Sequence, residues 1–241
     1  MTKSASEQVL VLIPTYNDFA LLGKITAELQ QLGDTYKILV VDDGSTTQFT
    51  ASELASDVLY FRLPANFGIG AATHVGFDHA LRHKYRALVR LDADGQHPLK
   101  MIPNLLEPIN CGEADLVVGA RVNRHEGSGI RGLAAEVVRN YLSLVSRLMT
   151  RNRTPSDVNS GFFAISYKAM AILNVLQFER YPEPQMFTMA GRQKLTVKEI
   201  SVQQAERTHG ASTITIARAL GMFYRFNVFV LGELIQRSGL R

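Results

Sequence analysis

The sequence predicts an α/β fold, with a doubly wound, Rossmann-like, mostly parallel central sheet, helices on both faces and a C-terminal amphipathic helix. Three observations carry this. Short β-rich runs alternate with longer amphipathic stretches through the first half of the chain. The runs are apolar throughout, as in strands covered on both faces. Polar residues then cluster just past the ends of the runs, where open parallel sheets bind ligands.

Val9 to Ile13 is the first predicted strand and ends at Pro14; Lys37 to Val41 is the second and ends at Asp42. Asp57 to Leu63, Ala87 to Leu91 and Leu116 to Val118 follow. Helices are expected near Asp18–Gln31, Ile69–His83 and Pro98–Asn110, which makes the strand–helix alternation. Between Arg131 and Thr150, Glu136, Arg139, Asn140, Ser143, Ser146 and Arg147 share one face of a helix, with Leu, Val, Ala and Met on the other. Gly161 to Ser166 reads as a strand, and Thr196 to Gln203 as a half-buried one. The expected organisation is a catalytic domain over 1–214 and an amphipathic helix within 215–241.

Composition narrows the function classes. The 241 residues are 46% hydrophobic, enough for a substantial core, and carry a net charge of +4. That excess suits nucleotide phosphates or an anionic membrane surface. The basic residues form no cluster with interleaved aromatics, so no nucleic-acid partner is expected. Cys111 is the single cysteine, which rules out an intramolecular disulfide and fits a reducing compartment. Met1 to Gln8 is polar, and no stretch approaches the ~18 uncharged apolar residues of a spanning helix. The expected location is cytoplasmic, peripheral on the cytoplasmic face of the membrane.

Asp92-Ala93-Asp94-Gly95-Gln96-His97-Pro98 carries the most chemistry. Two carboxylates two residues apart, just past a strand, can converge with Gln96 on a hard cation. Mg²⁺ or Mn²⁺ takes oxygen ligands and can bridge a carboxylate to a diphosphate, neutralising a departing phosphate. Pro98 is expected to start the next helix. Asp42-Asp43-Gly44-Ser45 offers a carboxylate to a nucleobase N–H or to ribose, or else a turn and a helix cap. Pro14-Thr15-Tyr16-Asn17 offers a rigid turn and a ring for base contact, or simple loop capping. Asn66-Phe67-Gly68-Ile69-Gly70 leads into a helix; its small residues suit phosphate approach or close helix packing. It lacks the full dinucleotide fingerprint, which disfavours an oxidoreductase.

These motifs, in this order, resemble the family-two glycosyltransferases, and within them the branch of dolichol- or polyprenol-phosphate mannose and glucose synthases. The resemblance extends to about Ile214. It implies a GT-A (nucleotide-diphospho-sugar transferase) fold, a nucleotide-diphospho-sugar donor and Mg²⁺ or Mn²⁺. By the same resemblance, Pro14, Thr15, Tyr16, Asn17, Asp42, Asp43, Asn66, Gly68, Asp92, Ala93 and Arg207 line the donor. Asp94 and Gln96 are implied as metal ligands, with Asp92 on ribose or a metal-bound water. Arg121 is implied to face the acceptor phosphate, and Asp157-x-x-Ser160-Gly161-Phe162 to line the reaction centre. Asp157 could act there as base or electrostatic stabiliser. Tyr181-Pro182-Glu183-Pro184-Gln185 has Gln185 where bacterial relatives have a second Glu; Gln cannot act as a base, which leaves Glu183 for that role. Arg207-Thr208-His209-Gly210-Ala211-Ser212 resembles a loop closing over the donor diphosphate, with His209 in place of a second basic residue.

The resulting expectation is a metal-dependent hexosyltransferase acting on a polyprenyl phosphate; the alternative is transfer to a saccharide hydroxyl in polysaccharide or glycolipid biosynthesis. A hydroxyl acceptor needs a base, whereas a phosphate monoester already carries negative charge. From Ile216 to Arg237, Arg218, Arg225, Glu233, Gln236 and Arg237 fall on one side of a helix that is otherwise mostly apolar. That pattern suits a membrane interface, a homodimer contact or a small membrane-protein partner. A nucleotidyltransferase is disfavoured because the first strand lacks its Gly-rich basic loop. A non-catalytic nucleotide-sugar binder is disfavoured by the intact Asp92, Asp94 and Gln96.

Overall fold

A computed structural model of the chain describes residues 7–47, 49, 50, 54, 57–122, 130–175, 178–205 and 216–238. Strands β1 (Val9–Thr15), β2 (Tyr36–Asp42), β3 (Val58–Arg62), β4 (Ala87–Arg90), β5 (Leu116–Arg121), β6 (Phe163–Ser166) and β7 (Val197–Val202) form one 7-stranded sheet, ordered β3-β2-β1-β4-β6-β5-β7. All adjacent pairs are parallel except those made by β6, which is antiparallel to both β4 and β5. The order reverses at β1, with β2 on one side and β4 on the other, so a crevice opens beyond Thr15 and Arg90.

Helices α1 (Leu22–Gln31), α2 (Ile69–Arg82), α3 (Ile102–Asn110), α4 (Ile130–Thr150), α5 (Tyr167–Leu173), α6 (Glu183–Arg192) and α7 (Ile216–Ser238) cover both faces. Leu10 and Leu12 of β1 point into the layer of α2, α4, α5, α6 and α7, while Val9, Val11 and Ile13 point into that of α1 and α3. Strand periodicity thus feeds two cores from one fully buried segment. The predicted α/β architecture is observed.

Three expectations change. The third strand was expected to be covered on both faces; β3 is instead a sheet edge that leaves Leu59 and Phe61 exposed. Pro98 caps a single 3-10 turn, Leu99–Met101, and the α-helix begins only at Ile102. In α4 the hydroxyl-bearing part of the polar face turns inward, while Asn140 and Arg147 stay exposed. Ser146 and Thr150 are buried, Thr188 of α6 donates to Ser146 Oγ at 2.9 Å, and Thr150 donates to the Ser146 carbonyl at 2.7 Å. Leu133, Val137, Leu144 and Leu148 face outward. Local bonds make this tolerable, because the buried Ser146 and Thr150 hydroxyls are hydrogen-bonded.

Candidate active site

The crevice is built from strand exits. On the β1–β2 side, Asp42 is fully buried and accepts from the Ser45 N–H at 2.9 Å, the Ser45 hydroxyl at 2.5 Å and the Tyr60 hydroxyl at 2.7 Å, with Arg62 Nε 3.5 Å away. Asp43 accepts from the Phe67 and Gly68 N–H groups at 2.8 and 2.7 Å. Burial pushes the Asp43 carboxyl up, against the lowering effect of those two bonds and of Arg180. Both carboxylates therefore shape the loops around the crevice, whatever further contact they make with a ligand.

Asn17, at φ 53°, accepts through Oδ1 from the N–H groups of Thr46 and Thr47 at 2.9 and 3.0 Å, and its own N–H donates to Ser45 Oγ. It ties the first strand-end loop to the second. Thr15 is buried and donates to the Asp18 carbonyl, whereas Tyr16, the following residue, is exposed. Asn66 accepts from Arg180, and Gly68 has φ 102° with the Arg180 side chain against its Cα. A Cβ at Gly70 would lie 1.9 Å from the Glu179 carbonyl oxygen. The small residues of this segment serve close packing, which was one of the two readings open in the sequence.

The acidic loop lies on the β4 side. Asp94 Oδ1 accepts from the Gln96 N–H at 3.0 Å, and Gln96 Nε2 donates to the Ala205 carbonyl at 3.3 Å. Ala93 is buried beneath them. Asp92 meets Arg90 Nη2 at 3.0 Å and His97 Nε2 at 3.3 Å. Removal from water would raise the Asp92 carboxyl; Arg90 and His97 outweigh that and hold it well below the usual carboxylate range. His97 stacks on Phe162 and is 3.1 Å from Gln204 Nε2 through Nδ1. If the amide donates to Nδ1, the ring carries its proton on Nε2, facing Asp92. A Cβ at Gly161 would lie 2.4 Å from Asp92 Oδ2, so the loop entering β6 fits against this carboxylate only because residue 161 is glycine.

The remaining candidates converge nearby. Arg121, at the end of β5, donates from Nε and Nη2 to Asp157 at 2.6 and 2.8 Å. Burial disfavours the charged guanidinium, but Asp157, Asp92 and Glu183 raise its pKa further. The Asp157 N–H and the Ser156 N–H and hydroxyl all donate to Glu199 of β7. Glu183 opens α6 and pairs with Arg90, which is buried. Arg207 and His209 lie outside the described residues.

Arg90, His97, Gln204 and Glu199 were missed as site residues in the sequence. Arg90 had one available signal, a cation inside an otherwise apolar strand. His97, although quoted in the acidic run, had no role until its two neighbours were known.

Three carboxylates, Asp92, Asp157 and Glu183, face two guanidiniums, and Asp94 adds another negative charge on the same loop. Among the described residues, no three His, Cys, Asp or Glu side chains gather as a preformed metal cage. Mg²⁺ and Mn²⁺ need none, since one or two carboxylates suffice when substrate phosphates complete the shell. The oxygen donors of Asp94 and Gln96, with Asp92 beside them, fit such an ion.

Known proteins share this architecture. Residues 10–173 match the family model of Glycosyl transferase family 2. A polyprenol monophosphomannose synthase of Mycolicibacterium smegmatis is 39% identical over 126 residues, which cover 50% of this chain and 47% of that protein. An undecaprenyl-phosphate 4-deoxy-4-formamido-L-arabinose transferase of Enterobacter sp. is 30% identical over 237 residues, covering 93% and 68%. Glucosyl-3-phosphoglycerate synthase from Mycobacterium tuberculosis, solved with Mn²⁺, uridine diphosphate and glucosyl-3-phosphoglycerate, superposes with a TM-score of 0.70. Its identity is 21%, covering 98% of this chain and 82% of that one, so this likeness speaks for the fold alone. With the family model spanning the crevice and the acidic loop alike, the chain belongs to glycosyl transferase family 2 and is a glycosyltransferase.

Proposed function

We propose that the chain transfers a hexose from a nucleotide-diphospho-sugar to a polyprenyl phosphate, with Mg²⁺ or Mn²⁺ at Asp94 and Gln96. The observation that carries the acceptor class is that both candidate bases are held by guanidiniums: Asp157 by Arg121 and Glu183 by Arg90. A sugar hydroxyl would need one of them to accept a proton. A phosphate monoester needs neither. Its oxygen forms the new bond to the anomeric carbon as the bond to the diphosphate breaks, and the electron pair leaves with the nucleoside diphosphate. The names of the Mycolicibacterium and Enterobacter relatives support the same acceptor class.

The divalent ion would supply charge neutralisation for the leaving diphosphate. This chain's own residues do the rest. Tyr16, exposed at the crevice mouth, is available to the base, and Asp43 to the ribose through lone pairs its backbone bonds leave over. Arg121 is the cation for the acceptor phosphate: Nε and Nη2 hold Asp157, and Nη1 makes no hydrogen bond among the described residues. Arg207 is assigned to the donor diphosphate on its resemblance alone.

Access to a lipid-linked acceptor is supported by two outward apolar stripes. Leu133, Val137, Leu144 and Leu148 form one on α4, and Leu220, Tyr224, Val228, Leu231 and Ile235 the other on α7. The two helices pack on each other and on α6. No helix among the described residues is long and apolar enough to cross a membrane. We assign the stripes to a peripheral contact with the cytoplasmic leaflet, and 215–241 to that role as a segment distinct from the 1–214 catalytic domain.

The test is transfer of labelled hexose from uridine- and guanosine-diphosphate sugars to polyprenyl phosphate or to short glycans, with Mn²⁺ or with EDTA. Labelled polyprenyl phospho-hexose formed only with metal supports the proposal. Turnover in EDTA, or transfer to glycans alone, overturns it.

A further inference from the structure

Arg90 is one of the largest fully buried side chains in the protein, 1% exposed. Its Nη1 donates to Glu183 and its Nη2 to Asp92 Oδ1 at 3.0 Å; the guanidinium carbon lies 5.7 Å from the centre of the Phe163 ring. Its Nε is buried and has no hydrogen-bond partner among the described residues.

Stability alone does not call for this arrangement. A buried ion pair is commonly replaced by packed apolar residues without loss, and an unmatched buried N–H is a liability. What apolar packing could not supply is a fixed separation between two carboxylates on different elements. Asp92 lies two residues past the end of β4, in the acidic loop, and Glu183 opens α6, a separate element. One planar guanidinium with a donor aimed at each sets both positions and orientations at once.

We propose that Arg90 is a positioning residue for the transfer step, holding the acidic loop and the first turn of α6 as one unit. The inference rests on the proposed function in taking Asp92 as donor-side. Arg90 acts only through Asp92 and Glu183, and Lys cannot replace it, because an ammonium lacks the forked geometry.

The experiment compares wild type, Arg90→Lys, Glu183→Gln and the double variant as full-length protein. Arg90→Lys should lower kcat ~100-fold, as small misplacements at reaction centres do. The fall in kcat should exceed any rise in donor KM or loss of affinity for Mn²⁺ with nucleoside diphosphate, since the loosened loop also carries Asp94 and Gln96. In the Glu183→Gln background the same change should add little further loss, since coupled residues are non-additive. Hydrogen exchange reads the link without turnover: Arg90→Lys should speed exchange in both the 92–97 loop and the first turn of α6. Exchange that rises in only one of them, additive losses, or wild-type kcat in Arg90→Lys would overturn the proposal. Should Arg90→Lys fail to fold, Arg90→Gln takes its place with the same readouts. A wild type that transfers to no polyprenyl phosphate would sink the functional reading, while the exchange measurement would still decide the role of Arg90.

Discussion

Arg121 and Asp157 form a two-point pair, Nε to Oδ2 at 2.6 Å and Nη2 to Oδ1 at 2.8 Å, with the carboxylate fully enclosed and the guanidinium only partly so. The enclosed partner depends on the other. Removing Arg121 would take both of these bonds from a buried carboxylate, at a cost of about 3–5 kcal/mol for a broken buried pair. Arg121→Met should therefore lower the unfolding midpoint strongly in a calorimetric or circular-dichroism melt. Arg121→Lys should retain much of that stability while raising the acceptor KM, since one ammonium cannot hold Asp157 at two points and a phosphate as well.

Metal use is read at Asp94. Asp94→Ala should reduce turnover by about 100-fold or more and leave the melt within ~1 kcal/mol of wild type, because the bonding it gives up in the fold is that of a partly exposed turn. Wild-type protein should gain thermal stability from Mn²⁺ plus nucleoside diphosphate, and Asp94→Ala should not. A variant that keeps the ligand-induced shift would remove Asp94 from the metal.

Gly161→Ala places a methyl against Asp92, whereas Gly112→Ala adds one to open space at φ 71°. The second should cost about 1 kcal/mol through backbone strain and leave kcat alone. The first should displace Asp92 and depress kcat out of proportion to its effect on the melt. Parallel melts and initial rates for the two variants check this.

The depressed pKa of Asp92 gives a pH dependence with a definite sign. Folding favours its charged form, so the contribution is complete above the ordinary carboxylate value near ~3.9 and is lost as pH falls below it toward the folded value. Wild type should lose stability more steeply than Asp92→Asn below about pH 4, and the two slopes should match above pH 5. Equal slopes throughout would mean that Arg90 and His97 do not stabilise the anion.

At Leu144 and Leu148, exposed on α4, paired Glu substitutions should change the melt by no more than about 0.5 kcal/mol each. Co-sedimentation with anionic vesicles should nonetheless fall sharply. Unaltered vesicle binding would move the stripe from a lipid surface to some other contact.

The parallel half of the fold was legible because its signal is local: Val9 to Ile13 and Lys37 to Val41 can only be buried strands, and the polar residues after them mark the crevice. The start of α6 was not, since Tyr181-Pro182-Glu183-Pro184 reads as a loop; yet proline is tolerated in a first turn, where its missing N–H has no intrahelical partner. In α4 the polar stripe was visible but its direction was not, because that depends on Thr188, far along the chain. The motif residues that line the crevice were named from the sequence, but their partners were not. Arg90 looks like a flaw in a strand until Glu183 is brought beside it.

The single reversed strand divides the labour of the site. Under the proposed function, segments leaving β1, β2 and β4 would shape the donor side, whereas Asp157, Ser160 and Gly161 belong to a segment arriving at β6 from outside the sheet. An arriving segment can lengthen or change sequence without shifting the register of β1, β2 and β4. Under that reading acceptor preference can drift while donor recognition stays fixed, and residues 151–156, ahead of the fixed Asp157 and Gly161, are where that drift would be recorded.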